Sequence, residues 1–190
     1  MVRQARAQIA EGGVSHVNLN EVLRLSGGSK ATLAKYFGDK NGLIAAAIAE
    51  EAREAMAALR RGPAQPDSQT LQEALCALLA GVLRFYLSPS ALRVYRAVIA
   101  VGGTTAEAFY RQGHQAVVDE VASFLSAWLG KGLRSELDVQ HAAEQLTHMI
   151  RAGSYERALL GIGPERIDQE AIAETAKFAV DLFLQGAAQR

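Results

Sequence analysis

The sequence predicts an all-α fold, and three observations carry that expectation. Ala and Leu are abundant across the 190 residues, while proline occurs only at Pro63, Pro66, Pro89 and Pro164. Apolar residues recur three and four apart along most of the chain, the spacing of a helix face. No apolar–polar alternation runs long enough for a strand, and internal repeats are absent. With 49% hydrophobic residues the chain can bury a substantial core.

Residues 2–11 read as a short helix with Ala5 and Ile9 on one face, stopped at Gly12-Gly13. Asn18 suits the N-cap of a second helix, and Glu21, three residues on, completes a capping box. Leu19, Val22 and Leu23, with Leu25, form its apolar side; Gly27 falls where a left-handed C-cap is needed. Ser29 caps a third helix, Lys30 to Phe37. Leu33 and Phe37 point inward there, leaving Lys30, Ala31, Ala34 and Lys35 to face out. Gly38 ends it, and Asp39 caps a fourth helix from Lys40 to about Arg60, packed through Leu43, Ile44, Ala47 and Ile48.

Gly62 to Asp67 reads as a loop. A helix from about Ser68 carries Leu71, Leu75, Leu78, Leu79 and Val82 until Ser88-Pro89-Ser90. The next carries Leu92, Tyr95, Val98 and Ile99, and Gly102-Gly103 ends it. Phe109 and Tyr110 lie on the stretch from Thr104, and Val117, Val121, Leu125 and Trp128 on a further helix stopped by Gly130 to Gly132. A helix near Asp138 to Leu160, a break at Gly161 to Pro164, and a last helix from about Asp168 to Gln185 complete the chain.

Cys76 is the sole cysteine and lies among leucines, so an internal disulfide is impossible and a buried, inert thiol is expected. No secretory signal or membrane-spanning run is apparent, and a cytoplasmic protein is expected. The net charge is zero, yet it is unevenly placed. Residues 1–45 hold six bases (Arg3, Arg6, Arg24, Lys30, Lys35, Lys40) against three acids (Glu11, Glu21, Asp39), so the surplus of three there is balanced by the rest. A basic head on an acidic body suits a partner that is anionic at one end.

Two short helices joined by a tight glycine turn, the second with basic edges, form a helix-turn-helix pattern. Such a helix fits the DNA major groove. Ala31 and Ala34 allow close approach, and lysines and hydroxyls at the rim can grip phosphates. The helix N-termini at Ser29 and Asp39 favour phosphate, although the Asp39 carboxylate opposes it. The motif alone describes a surface helix with solvated lysines equally well.

The longer run "VNLNEVLRLSGGSKATLAKYFGDKNGLIAAAI" resembles the DNA-binding domain of the TetR (tetracycline-repressor) family of bacterial transcription regulators. The resemblance implies an N-terminal helix-turn-helix three-helix domain over residues 1–46 and a larger helical ligand-binding and dimerisation domain over 47–190. It further implies that Ser29 caps the recognition helix and touches phosphate, and that Lys30, Ala31, Thr32 and Lys35 face the groove. Tyr36 would lie near the DNA backbone and Lys40 would grip phosphate at the start of the fourth helix. Three residues depart from the family pattern. Ala34 stands where a tyrosine is usual, Leu23 where a small residue is usual, and Gly28 replaces a common valine and should loosen the turn.

The last helix carries two apolar stripes, Ile172, Ala176, Ala179, Val180 and Phe183 on one face and Ala171, Phe178 and Leu182 on another. One stripe suffices for a core, so the second suggests a partner, unless the helix is central within one subunit. With Ala142, Leu146, Met149 and Ile150 of the preceding helix it would build a four-helix bundle across a two-fold axis. Tyr95, Phe109, Tyr110, Trp128 and Met149, with His148 as an anchor (Arg93, Arg96 and His114 being others), are the candidates for a ligand pocket, although aromatics at this spacing are more often core. His141, Glu144 and His148 share one helix face, but one helix cannot close a metal site, so no metal and no cofactor are expected.

No nucleophile elbow, phosphate loop or paired carboxylates point to an enzyme. The expectation is a DNA-binding homodimeric regulator, a repressor released from a palindromic double-stranded operator by a small, largely apolar effector. The alternative is a dimeric helical sensor that has lost or weakened DNA binding.

Overall fold

The structure, a computed structural model, describes residues 1–60, 70–162 and 168–188. The helices are α1 (Val2–Gly12), α2 (Leu19–Ser26), α3 (Lys30–Phe37), α4 (Lys40–Arg60), α5 (Leu71–Tyr86), α6 (Pro89–Val101), α7 (Gly103–Phe109), α8 (Gln115–Ser126), α9 (Val139–Met149), α10 (Ser154–Leu159) and α11 (Gln169–Ala187). A 3-10 turn, Val14–His16, follows α1, and a π-helical turn, Tyr110–His114, joins α7 to α8. Isolated bridges at Leu129, Leu133 and Ala188 are the only β pairings among the described residues. The fold is all-α, as its periodicity predicts. The expected loop at Gly62 to Asp67, the start at Ser68, and Gly163-Pro164 lie outside the described residues.

The chain groups into two compact units, Met1–Glu54 with Pro89–Ala116, and Ala55–Ser88 with Val117–Arg190. In the first, Ala5 and Ile9 of α1, Val22 and Leu23 of α2, Leu33 of α3 and Leu43, Ile44, Ala47 and Ile48 of α4 share one core with Val94 and Val98 of α6. Ala106 and Phe109 pack against it from α7. Leu23 is thus a core residue, buried beside Val22. Leu25 does not join the apolar side of α2; it is exposed, lying about 160° round the helix from Leu23 and on the far side of Val22 from it. The capping box expected at Asn18 is half formed. The Asn18 side chain accepts from the Glu21 N–H at 3.2 Å, but its own N–H donates to Gln8 Oε1 of α1 at 2.7 Å.

In the second unit α5 and α11 run antiparallel. At one end the Gln72 side-chain amide donates to Asp181 (2.6 Å), and at the other Arg84 donates to Gln169 (2.8 Å). Between them Leu75, Leu79, Val82 and Leu83 meet the buried Ile172, Ala176 and Val180. A complete capping box opens α5, with Thr70 and Glu73 exchanging hydrogen bonds.

Two expectations are corrected here. The helix expected from Asp138 to Leu160 is two helices, because Gly153 adopts φ 77° and breaks it before α10. Trp128 lies past the end of α8, in the turn that leads to Gly130. Tyr155 of α10 is buried, and the Arg151 guanidinium lies 4.4 Å from its ring centroid and 5.5 Å from that of Tyr86.

Lys177 Nζ reaches Asp181 Oδ2 at 2.6 Å on α11. That hydrogen bond holds the Asp181 carboxyl below its ordinary value against the opposing effect of burial, with help from Gln72, and raises Lys177. Burial pushes up the nearby half-buried Cys76 thiol, and the Asp181 charge adds to it, so it stays protonated and inert. A depressed carboxyl contributes stability above its unfolded value and loses it as pH falls through the folded value. Asp181→Asn is therefore expected to melt lower than wild type at neutral pH, with the gap closing between about pH 5 and pH 2, read from melting temperature against pH.

Candidate nucleic-acid interface

The turn between α2 and α3 is built from backbone hydrogen bonds. Gly27 takes the left-handed conformation (φ 65°), its N–H reaches Arg24 O at 3.5 Å, and the Gly28 N–H reaches Leu23 O at 3.0 Å. This pair of bonds is a Schellman closure, which requires the positive φ that glycine supplies. Gly28 does not loosen the turn as its sequence suggests. Its N–H is held, and a Cβ there would lie 2.1 Å from Met1 Cε, so the bare backbone makes room for the Met1 side chain.

Ser29 then starts α3. Its hydroxyl accepts from the Thr32 N–H at 3.1 Å and lies 2.9 Å from the Thr32 hydroxyl. Leu33 is buried and Phe37 half-buried against the first unit's core; Lys30, Ala31, Thr32, Ala34, Lys35 and Tyr36 are exposed. Tyr36 is 67% exposed, with Lys35 Nζ 5.3 Å from its ring centroid, so an aromatic and a cation are presented together at the rim. The helix touches its own protein along one edge and leaves the rest open.

Gly38 ends α3 with φ 77°, and Asp39 caps α4 by accepting from the Gly42 N–H at 2.8 Å. A Cβ on Gly42 would sit 1.8 Å from Phe37 O, so the close approach of α4 to the end of α3 depends on a bare backbone at that position. Lys40 stands half-buried at the first position of α4, beside that helix's N-terminal amides.

The charges sort themselves. Arg6 is committed to Glu54, at 2.7 and 2.6 Å, and Arg24 lies 3.7 Å from Glu21. Among the described residues Lys30, Lys35 and Lys40 make no ion pair. Three of the head's bases, Lys30, Lys35 and Lys40, therefore lie on and beside the open face of α3, while Arg3 is exposed on α1. All seven residues expected at the DNA, Ser29 to Thr32, Lys35, Tyr36 and Lys40, lie along this one stretch from the cap of α3 to the start of α4.

The other candidates divide between the units. Tyr95 and Phe109 meet edge to face at 5.3 Å in the first, where Tyr110 is 52% exposed and stacks on the buried His114 at 5.1 Å. In the second, Trp128 lies 6.3 Å from Phe124, Met149 is half-buried and His148 is exposed, its ring nitrogen 2.8 Å from Glu144 O. No group of three metal-ligating side chains occurs among the described residues. Of the expected dimer surface, Ala142, Leu146 and Ile150 are covered within their own unit, Leu146 and Ile150 completely, and have no area left for a partner. That part of the expectation is corrected. Periodicity showed the stripe to be apolar without showing what it packs against. Ala171, Phe178 (67% exposed) and Leu182 (45%) do remain open on α11.

Sequence reasoning missed Gln8, Gly42 and the Arg6–Glu54 pair. Only Gly42 had a local signal, its place three residues after the Asp39 cap.

Residues 2–47 match the model of bacterial regulatory proteins of the tetR family, and residues 73–186 match that of the C-terminal domain of AefR-like transcriptional repressors. No curated protein sequence matches the chain. Among solved structures, a chain from Mesorhizobium loti assigned to the TetR-family regulators is 20% identical, covering 99% of this chain and 95% of its own, with a TM-score of 0.76. The flavonoid-responsive regulator FrrA is 25% identical over 100% of this chain and 95% of its own, with a TM-score of 0.72. A TetR transcriptional regulator from Agrobacterium tumefaciens is 21% identical over 100% and 93%, with a TM-score of 0.71.

Ser29→Ala removes both the cap and the Thr32 hydroxyl's partner. It is expected to cost about 1 kcal/mol of stability in chemical denaturation.

Proposed function

We propose, since the chain belongs to the tetR family of bacterial regulatory proteins, that it is a homodimeric repressor whose α3 enters the major groove of a palindromic operator. The observation that carries this is the open face of α3, six exposed side chains edged by unpaired lysines on a helix anchored only through Leu33 and Phe37. Ala31 and Ala34 leave the helix slim enough to approach base edges, and Thr32 can offer its hydroxyl there. Ser29, Lys30, Lys35, Tyr36 and Lys40 stand at the rim, where phosphates pass. The repressor assignment draws on the AefR-like match of the C-terminal stretch. No reaction is assigned to the chain, and a DNA partner places it in the cytoplasm.

The second copy docks on the uncovered face of α11, through Ala171, Phe178 and Leu182. Among the described residues no single helix is long and apolar enough to cross a membrane. Two copies related by a two-fold axis present two α3 helices to inverted half-sites. The effector is a small, largely apolar molecule, in keeping with the flavonoid response of one relative; Tyr95, Phe109 and Tyr110 of the first unit, and Trp128, Met149 and His148 of the second, are the candidate contacts. It acts by population shift, favouring a form whose two heads no longer match successive grooves. The departure at Ala34 keeps open a sensor with weakened DNA binding; band shifts on the duplex flanking the chain's own coding region decide between the two.

Lys40→Ala is expected to weaken binding on every duplex alike and to lower the slope of log affinity against log salt by about 1. An unchanged slope removes Lys40 from the phosphate contacts. Leu182→Glu places a charge on the proposed dimer face and is expected to give a folded monomer in sedimentation. A dimer of undiminished affinity would move the interface elsewhere.

A further inference from the structure

We infer that Arg6 and Glu54 are positioning residues for DNA recognition, a clamp between α1 and α4 that sets the angle at which α3 is presented. This rests on the DNA-binding function proposed above. The two guanidinium nitrogens of Arg6 each donate to one oxygen of Glu54, at 2.7 and 2.6 Å, a fork geometry that fixes orientation as well as distance. On α4 the last described core side chains are Ile48 and Ala49. Glu54 lies six residues past Ile48, about 9 Å along the helix, so the fork holds α4 to α1 at a point further along α4 than Ile48. On α1, Arg6 follows the fully buried Ala5 and is itself 29% exposed, against 58% for Glu54.

The consequence for α3 follows from what else α1 holds. Gln8, two residues on, accepts the Asn18 N–H and so fixes the start of α2. One helix therefore anchors both neighbours of α3, with α2 tied at Asn18 and α4 at Glu54. α3 is suspended between them by the Gly27–Gly28 closure and the Asp39–Gly42 cap. A change in the angle between α4 and α1 passes directly to the open face of α3. Hydrogen bonding from Arg6 also holds the Glu54 carboxyl below its ordinary value, so the pair stays charged through neutral pH. An exposed pair is weak enough to open when α4 is displaced, as a population shift requires.

The sign of one substitution separates this clamp from plain electrostatics. Glu54→Gln removes an acid from the head, which by charge alone tightens duplex binding. The clamp predicts the reverse, binding about fivefold weaker to the duplex flanking the coding region, with the salt slope unchanged. Arg6→Gln should show the same loss, and Arg6→Gln/Glu54→Gln no more than either alone. Binding by Glu54→Gln as tight as wild type or tighter overturns the inference. Amide hydrogen exchange without DNA provides a second reading: amides 50–54 should exchange several-fold faster in Glu54→Gln, and unchanged exchange sinks the clamp even if the duplex is bound. A wild-type chain that ignores the duplex at low salt overturns the DNA function, and this inference with it.

Discussion

α3 is held to its own protein by two side chains. Leu33 is buried and Phe37 half-buried, and the other six residues of the helix face out. An eight-residue helix is not stable alone. Burying two such side chains contributes about 1.5–3 kcal/mol each, and each cap about 1 kcal/mol. The anchors contribute the larger share and the caps add a substantial fraction of it, so α3 depends on its ends as well as on its anchors. That is why the chemistry of this region is concentrated in punctuation: the left-handed Gly27, the hydroxyl of Ser29, the positive φ of Gly38, the carboxylate of Asp39 and the bare backbone of Gly42. A helix held by its ends and one edge leaves the rest of its surface for a partner.

Charge is handled with the same economy. A chain of zero net charge has little overall attraction to DNA, so the grip on phosphate falls to its basic head. The structure pairs Arg6 with Glu54 and brings Arg24 near Glu21, while Lys30, Lys35 and Lys40 make no ion pair among the described residues. Arg6 ties α1 to α4, while the lysines edge the exposed helix. Two functions that look alike in a count of basic residues are carried by different residues.

What the sequence made legible was whatever is settled within four or five residues. The caps at Ser29 and Asp39, the glycine closure at Gly27 and the inward Leu33–Phe37 pair all follow from near neighbours, and all appear in the structure. Where the sequence misled, a distant partner intervened or a face was assigned without knowledge of what covers it. Glu21 left the capping box incomplete because Gln8, ten residues upstream of Asn18, took the backbone N–H. Glu54 finds Arg6 across 48 residues, a pairing no local pattern shows. The stripe of Ala142, Leu146 and Ile150 was correctly read as apolar but assigned to the wrong surroundings. Periodicity reports that a face is apolar; only the fold reports whether its own chain has already covered it.

The two stripes of α11 show how far that distinction reaches. Ile172, Ala176 and Val180 are spent on α5, and Phe178 and Leu182 are left over. Covering the exposed parts of a Phe and a Leu from each of two subunits contributes about 3–7 kcal/mol, while association itself costs about 4–15 kcal/mol. The leftover stripe is thus enough to locate a two-fold contact but not to hold it. A stable dimer on α11 needs further surface alongside, and α9 is the helix packed beside it. Since Leu146 and Ile150 are covered, what α9 can contribute is its polar outward face, where His141 and Gln145 are exposed. The proposed interface is then a small apolar centre with a hydrogen-bonding rim, and its specificity for a second copy resides in the rim more than in the stripe that first drew attention to it.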